Sequence, residues 1–338
     1  MNILRSLTLL GLLAGIGAFL FINGWLPRSF HASIGDETQA VAQKMLQFLQ
    51  GNSESEIDPA EAERKISQGN QLVRQSRQLL LHNTEPLTAD ILQILQTPGQ
   101  SYRASGQYWQ APQDRSRMLI EMEVDQTHGR LLQVSNGQVI WTVRDLTPST
   151  SLNQQTEEDE PQRMRIDRVD TQRIAEEAAQ LLPPATADAP PVWEMHGGLP
   201  GLMLSLERHL DFQIIREVTI HGDLCFVLEG IWKTHEANSS GWFELTDSFL
   251  KMRPDRIRLF IRQADLFPVR YLFLKQHPER AGFYAPLAME VTNIQHQPEL
   301  DPSLFLYRPP EDQVPNDVTH EYLARLQLAG KPHDETKQ

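Results

Sequence analysis

Between Ser101 and Asp145 the chain reads SYRASGQYWQAPQDRSRMLIEMEVDQTHGRLLQVSNGQVIWTVRD, four alternating runs divided by turn residues. A period of two is the repeat of a strand with one buried and one wet face, and a helix cannot satisfy it. In the second run Met118, Ile120, Met122 and Val124 share one face, while Arg117, Leu119, Glu121 and Glu123 share the other. Pro112-Gln113-Asp114 separates the first run from the second, and a looser turn from Gln126 to Gly129 separates the second from the third. Asn136-Gly137 follows the third. This dipeptide tolerates the positive φ angles of a type I′ hairpin turn, which sets Leu132 and Val134 opposite Val139 and Trp141. The stretch is an antiparallel meander, and it commits the chain to a curved or half-closed sheet.

The flanking sequence supplies helices and more strands. Asp58-Pro59-Ala60-Glu61 combines an N-cap, proline at the first helical position and an acid placed for a capping box. Ala62, Ile66, Gly69, Val73, Ser76 and Leu80 then form one small or apolar helix face, which Asn83-Thr84-Glu85-Pro86 ends. Leu87 to Leu95 is the first strand. Met164 and Ile166 add a short edge strand, and Asp170 caps a helix carrying Ile174, Ala178, Leu181 and Leu182 on one face. A short helix with Leu199, Leu202, Met203, Leu206 and Leu210 is too apolar to lie free. Alternation resumes at Asp211–Thr219, Leu224–Trp232, Arg256–Arg262, Val269–Lys275 and Leu287–Ile294, interrupted by an insertion over 234–254. A last short strand, Leu304–Tyr307, and a helix from Val318 to Leu328 close the chain. The proline-rich run at 183–191 reads as a loop, because no second core accompanies it.

From Ser6 to Pro27 there is no charged residue. At 1.5 Å per residue this stretch can cross a hydrocarbon core of roughly 30 Å. A cleavable signal has a shorter apolar region and ends in an A-x-A pattern, which is not matched here. An uncleaved N-terminal membrane anchor over 1–27 is therefore favoured over a signal peptide, with Trp25 at the interface. A polar linker follows over 28–57, then one main domain over 58–330 outside the cytoplasm and a disordered tail over 331–338. Acidic residues exceed basic ones by 44 to 31, for a net charge of −13, so nucleic acid is not an expected partner. The single cysteine, Cys225, excludes an internal disulfide and reads as a buried strand residue.

Motifs of chemistry are scarce. His196-Gly197-Gly198 is similar to the oxyanion loop of lipases, but there is no G-x-S-x-G elbow. The glycines more simply let a helix start at Leu199. The eleven histidines show no metal-ligand spacing and no glycine-rich phosphate loop is present, so neither metal nor cofactor is expected. Arg256, Arg258, Arg262 and Arg270 could receive an anionic headgroup, although a solvated face balanced by glutamates is the preferred reading.

What remains is a lining. The concave face of a curved sheet must be filled by helices, by ligand, or by both. The candidates for that lining are Met118, Ile120, Met122, Leu132, Trp141, Leu202, Met203, Leu206, Leu259, Ile261 and Met289, the methionines giving an adaptable surface. A closed ordinary core stands as the alternative.

The order of a leading helix, a first strand, Gly106-Gln107-Tyr108-Trp109, the run Val134-Ser135-Asn136-Gly137-Gln138 and Trp141 resembles the superfamily of periplasmic lipoprotein carriers LolA and LolB and the sigma-E regulator RseB. Asp265-Leu266-Phe267-Pro268-Val269-Arg270 and the closing segment from Phe305 to Leu326, with its Asp317-Val318-Thr319 step, continue the likeness. The HGGLPGL and QVSNG segments are similar to those of uncharacterised membrane-anchored or exported proteins of planctomycete type. The resemblance implies an α+β fold: an incomplete antiparallel β-barrel of about eleven strands, helices on its concave side, and an apolar cavity for acyl chains without catalytic residues. The leading expectation is thus a non-enzymatic, membrane-tethered periplasmic protein that binds a lipid or lipoprotein acyl chain. A sensor or interaction module of the RseB kind, with an envelope protein as partner and the cavity plugged by its own helix, is the alternative. An exported hydrolase is the third, and Ser, His and Asp side chains converging on His196 would favour it.

Overall fold

A computed structural model describes residues 59–97, 100–124, 127–148, 164–182, 194–233, 254–277, 281–297 and 299–329. The expected anchor, linker, tail and 183–191 loop lie outside these residues, as does the insertion apart from Pro254. Among the described residues no helix is long and apolar enough to cross a membrane.

The alternating runs become β1 (Leu87–Thr97), β2 (Gln100–Ala111), β3 (Arg115–Val124), β4 (Thr127–Asn136), β5 (Val139–Pro148) and β6 (Met164–Asp170). A second meander follows as β7 (Leu210–Ile220), β8 (Asp223–Trp232), β9 (Arg256–Arg262), β10 (Pro268–Gln276) and β11 (Phe283–His296). All join one 12-stranded sheet in the order β12-β6-β5-β4-β3-β2-β1-β11-β10-β9-β8-β7, where β12 is the two-residue strand Asn316–Asp317. β1 and β11 pair antiparallel and seam the two meanders. Among the described strands only β12 runs parallel to its neighbour, β6. Among the described residues neither β12 nor β7 has a second strand neighbour, so the sheet is open.

Among the described residues four α-helices accompany it: α1 (Pro59–His82), α2 (Thr171–Leu181), α3 (Gly198–His209) and α4 (Thr319–Ala329). Asp170 caps α2 as its position suggests, its side chain accepting from the Arg173 amide at 2.9 Å. α1 packs on β7 and α3, while α3 touches β3 and β4 as well as β7. Seven strand spacings of about 4.8 Å separate β3 from β7, roughly 34 Å on a flat sheet. A helix of 12 residues is only about 18 Å long. The sheet therefore wraps around α3, and its curvature follows from that double contact. Gly69 lets α1 approach the β7 edge, since a Cβ there would stand 2.2 Å from the Phe212 carbonyl oxygen.

Three local expectations are corrected. Val134 faces Trp141, but Leu132 faces Val143 and not Val139. The loop between β4 and β5 is Gly137-Gln138, with Gly137 alone at positive φ (+89°), the pattern of a type II′ turn. Asn136 stays in the strand, and its Oδ1 accepts from the amides of Gln138 (2.9 Å) and Val139 (2.8 Å). The type I′ pattern occurs instead at His221-Gly222, where φ is +50° and +95°. Finally, Leu304–Tyr307 is not a strand. Pro302–Phe305 forms a 3-10 turn capped by Asp301, and it packs on β3 and β4.

These turns make a graded test. Gly222→Ala meets no neighbouring atom and carries only the backbone penalty of about 1–2 kcal/mol. Gly137→Ala adds a Cβ 2.4 Å from the Gln113 carbonyl oxygen, so its denaturation midpoint should fall further than that of Gly222→Ala. Equal midpoints would contradict the turn geometry.

Candidate functional site

The concave wall can be followed strand by strand through its pairings. Tyr271 on β10 faces Leu259 on β9 and Met289 on β11, Met289 faces Gln93 on β1, Gln93 faces Ala104 on β2, and Ala104 faces Met122 on β3. Paired residues share a face, so these side chains form one continuous row. Nine of the sequence candidates belong to the apolar cluster on this wall: Met118, Ile120, Met122, Leu202, Met203, Leu206, Leu259, Ile261 and Met289. Leu132 and Trp141 lie on the opposite, convex face with Leu119, Val134 and Val143. The same odd-even parity that puts Met118 inside puts Leu119 outside, and Leu119 pairs with Leu132. There the 302–307 segment covers them, with Tyr307 packed on the Trp141 ring at 5.5 Å between centroids.

Inside the curve sits α3. Leu199, Met203 and Leu206 are at most 1% exposed, and Leu202 is 4% exposed. Burying four such side chains contributes roughly 6–12 kcal/mol. The start of α3 is fitted to the wall. Gly197 offers no side-chain cap. The Gly198 amide instead donates to Gln133 Oε1 on β4 at 2.7 Å, and the Leu199 amide donates to the Tyr108 hydroxyl. Gly198 has φ +62°, and a Cβ there would press to 2.7 Å from the Tyr108 ring. The two glycines thus serve close approach at a helix start.

A buried ionic chain fastens both ends of α3. His196 Nδ1 meets Asp114 Oδ2 at 3.0 Å, and its Nε2 meets Glu194 Oε1 at 2.7 Å. Arg77 Nη1 on α1 donates to the same Glu194 oxygen at 3.0 Å, and its Nε donates to Glu207 Oε2 at 2.7 Å. Arg74 donates to Glu207 Oε1 at 3.0 Å. Arg208 Nη2 donates to the Glu194 carbonyl at 2.7 Å. Asp114 itself lies at φ +57° in the β2–β3 turn, a conformation non-glycine residues seldom hold. Burial opposes charge on His196, yet the hydrogen bonds and charges of Asp114 and Glu194 prevail and raise its pKa to about 9. Burial also opposes charge on Glu194, but His196, Arg77 and Arg208 hold it below its ordinary value. Asp114 is pushed up, burial outweighing His196. The sequence offered one sign of this chain, a single acid, Glu207, on the helix that carries Leu199, Leu202, Met203 and Leu206.

This arrangement does not suit a hydrolase. Both imidazole nitrogens are engaged by carboxylates, so the ring is an imidazolium without a lone pair to take a serine proton. Ser135 lies against Gly197, but its hydroxyl donates to the Asp114 carbonyl at 2.9 Å. The Gly198 amide of the His196-Gly197-Gly198 loop is already used by Gln133, and the following amide, that of Leu199, by Tyr108. Among the described residues no His, Cys, Asp or Glu cluster could hold a metal ion. A cavity of about 50 Å³ beside His196 is lined by Gln133, Thr142, Glu194, Leu202 and Arg208. It has room for a water or two, whereas drug-sized ligands occupy several hundred Å³.

The arginines of β9 and β10 are neutralised on the convex face. Glu229 accepts from Arg256 (2.7 Å) and Arg258 (3.0 Å), Arg270 donates to Glu290 (2.8 Å), and Arg262 pairs with Asp265 (2.6 Å) and Asp223 (3.2 Å). A headgroup would have to displace these carboxylates.

No family model matches the sequence, and no curated protein matches it. Solved structures do. A DUF1329 family protein from Desulfovibrio piger is 11% identical, with a TM-score of 0.32 over 72% of this chain and 98% of its own. A LolA superfamily protein from Nitrosomonas europaea is 9% identical, with a TM-score of 0.27 over 71% of this chain and 97% of its own. MucB of the Pseudomonas aeruginosa MucA/MucB complex is 12% identical, with a TM-score of 0.32 over 72% of this chain and 59% of its own. Structures of the LolA and MucB kinds are thus among the neighbours, as the sequence resemblance implies, while closeness to planctomycete-type proteins is not shown. Likenesses this distant carry no argument about function.

The His196 chain has a pH signature. Its pKa is raised from 6.5 to about 9 on folding, so its stabilisation is complete below 6.5 and lost as pH rises through about 9. The loss should amount to no more than roughly 3 kcal/mol. Urea denaturation from pH 6 to 10 should show this decline in the wild type and a flatter profile in His196→Leu; parallel profiles would rule the ionic chain out.

Proposed function

We propose that this chain is a non-enzymatic, extracytoplasmic half-barrel of the LolA kind, tethered by its N-terminal segment, that binds an acyl chain on its concave wall when α3 withdraws. The observation that carries the reading is the buried row running from β3 through β1 to β9, apolar on both sides of Gln93 and Tyr271, whose apolar cluster is completed by a short helix and not by another sheet. The energetics favour exchange. An acyl chain of about sixteen carbons gains roughly 12 kcal/mol on burial at ~0.8 kcal/mol per methylene. That equals the upper end of what α3 gains in the same place, so ligand and helix are matched competitors.

A second reading has its own support. α3 is buried from Leu202 to Glu207 and ionically fastened, which suits a half-barrel permanently plugged by its own helix that meets a protein partner on another surface.

Binding of cis-parinaric acid to the full chain in amphipol, with native mass spectrometry for retained lipid, separates the two. The acyl reading expects saturable uptake, and tighter uptake by Glu207→Gln, which loosens the α1–α3 ion pairs without touching the wall. Absence of retained lipid together with no uptake by either protein would leave the permanently plugged module.

A further inference from the structure

We propose that Gln93, Met289 and Tyr271 form a polar clasp in the middle of the concave wall, and that it receives the neutral carbonyl of an acyl ester. The proposal rests on the acyl-binding reading and adds the chemical class of the ligand's polar end. Gln93 pairs with Met289 and Met289 with Tyr271, so the three stand abreast on β1, β11 and β10. All are inside: Gln93 and Met289 are 4% exposed and Tyr271 is 0% exposed. The row continues into Leu259 on one side and Ala104 and Met122 on the other, so its polar atoms are confined to its centre.

The hydrogen-bond inventory of this centre is incomplete. The Tyr271 hydroxyl is buried without a hydrogen-bond partner among the described residues. Tyr108, on the same wall, shows the ordinary solution, its hydroxyl donating to Gln110 Oε1 at 2.8 Å. Gln93 Nε2 donates to the Met289 thioether at 3.6 Å, a weak acceptor holding a strong donor. Buried hydroxyls without partners are rare, because their hydration is given up for nothing in return. The two donors are thus left with a thioether or with no partner among the described residues, on a wall whose apolar cluster also takes in Leu199, Leu202, Met203 and Leu206 of α3.

What would satisfy them is an acceptor entering with an apolar chain. The row contains no cation, and the nearest arginine in sequence, Arg270, is directed to Glu290. A carboxylate or phosphate would be buried there without counter-charge, a large desolvation cost. An ester carbonyl accepts hydrogen bonds and carries no charge, so the clasp selects acyl esters over free fatty acids at neutral pH.

Displacement of cis-parinaric acid from the full chain in amphipol, by methyl laurate or by dodecane, tests this in the wild type and in Tyr271→Phe. Methyl laurate should bind about tenfold more weakly to Tyr271→Phe, the loss expected for one buried hydrogen bond, with dodecane unchanged. Ligand-free Tyr271→Phe should also unfold at a higher temperature, because it loses an unsatisfied hydroxyl and keeps the ring. Unchanged methyl laurate affinity, or a lower unfolding temperature, would overturn the clasp while leaving acyl binding intact. Failure of the wild type to take up cis-parinaric acid and, by native mass spectrometry, to retain methyl laurate would overturn both.

Discussion

A sheet that curves through 12 strands has one apolar wall turned inward, and that wall cannot be left to water. Everything else in the structure answers this constraint. α3 joins the apolar cluster of that wall, α1 covers the β7 edge and presses on α3, and Ile140 and Val169 on β5 and β6 pack beneath α2 and α4. The two meanders meet at the β1–β11 seam, so the middle of the wall is built from the first strand and the last long one. Register irregularities on β1, β7 and β10 break the ladder where the sheet must bend.

The convex side follows a different rule. Its arginines alternate with inward-facing apolar residues on β9, and each finds a carboxylate on the same or a neighbouring strand. Glu229 and Glu290 are buried at 5% and 7% exposure beneath those guanidiniums, so the charges form a packed layer and not a free basic patch. A chain of net charge −13 thus keeps the arginines of β9 and β10 occupied.

Much of the fold was legible because period two survives burial. The face Met118, Ile120, Met122 is inward as its alternation requires, and Asp170 caps the helix it precedes. What the sequence could not carry was the sign of each face on a strand that is apolar on both sides. Leu132 and Trp141 looked like lining because they are large and apolar, yet β4 buries both its faces, one under α3 and one under the 302–307 segment. Leu304–Tyr307 alternates like a strand, but Pro302 and the Asp301 side chain start a turn in which the same spacing seats Phe305 against the sheet. The ionic chain was less legible still. Asp114, Glu194, His196 and Glu207 are far apart in sequence or carried by segments without periodicity, and only the wrapping of the sheet unites them.

The division of labour between the wall and that chain bears on how the plug behaves. Apolar burial holds α3 with a strength indifferent to position, since a leucine slipped by one turn still finds hydrocarbon. The ionic chain is different. Buried ion pairs add little net stability, because desolvation offsets attraction, but they penalise any arrangement that leaves one partner buried alone. Sliding α3 along the wall would leave Glu207 facing hydrocarbon and strip Arg77 of one of its two carboxylates. The helix therefore has two acceptable states, seated in register or withdrawn far enough for water to reach the charges, with intermediate positions disfavoured. On the acyl-binding proposal such a plug would open cooperatively, over a wall where the Tyr271 hydroxyl has no partner among the described residues and Gln93 holds only the Met289 thioether.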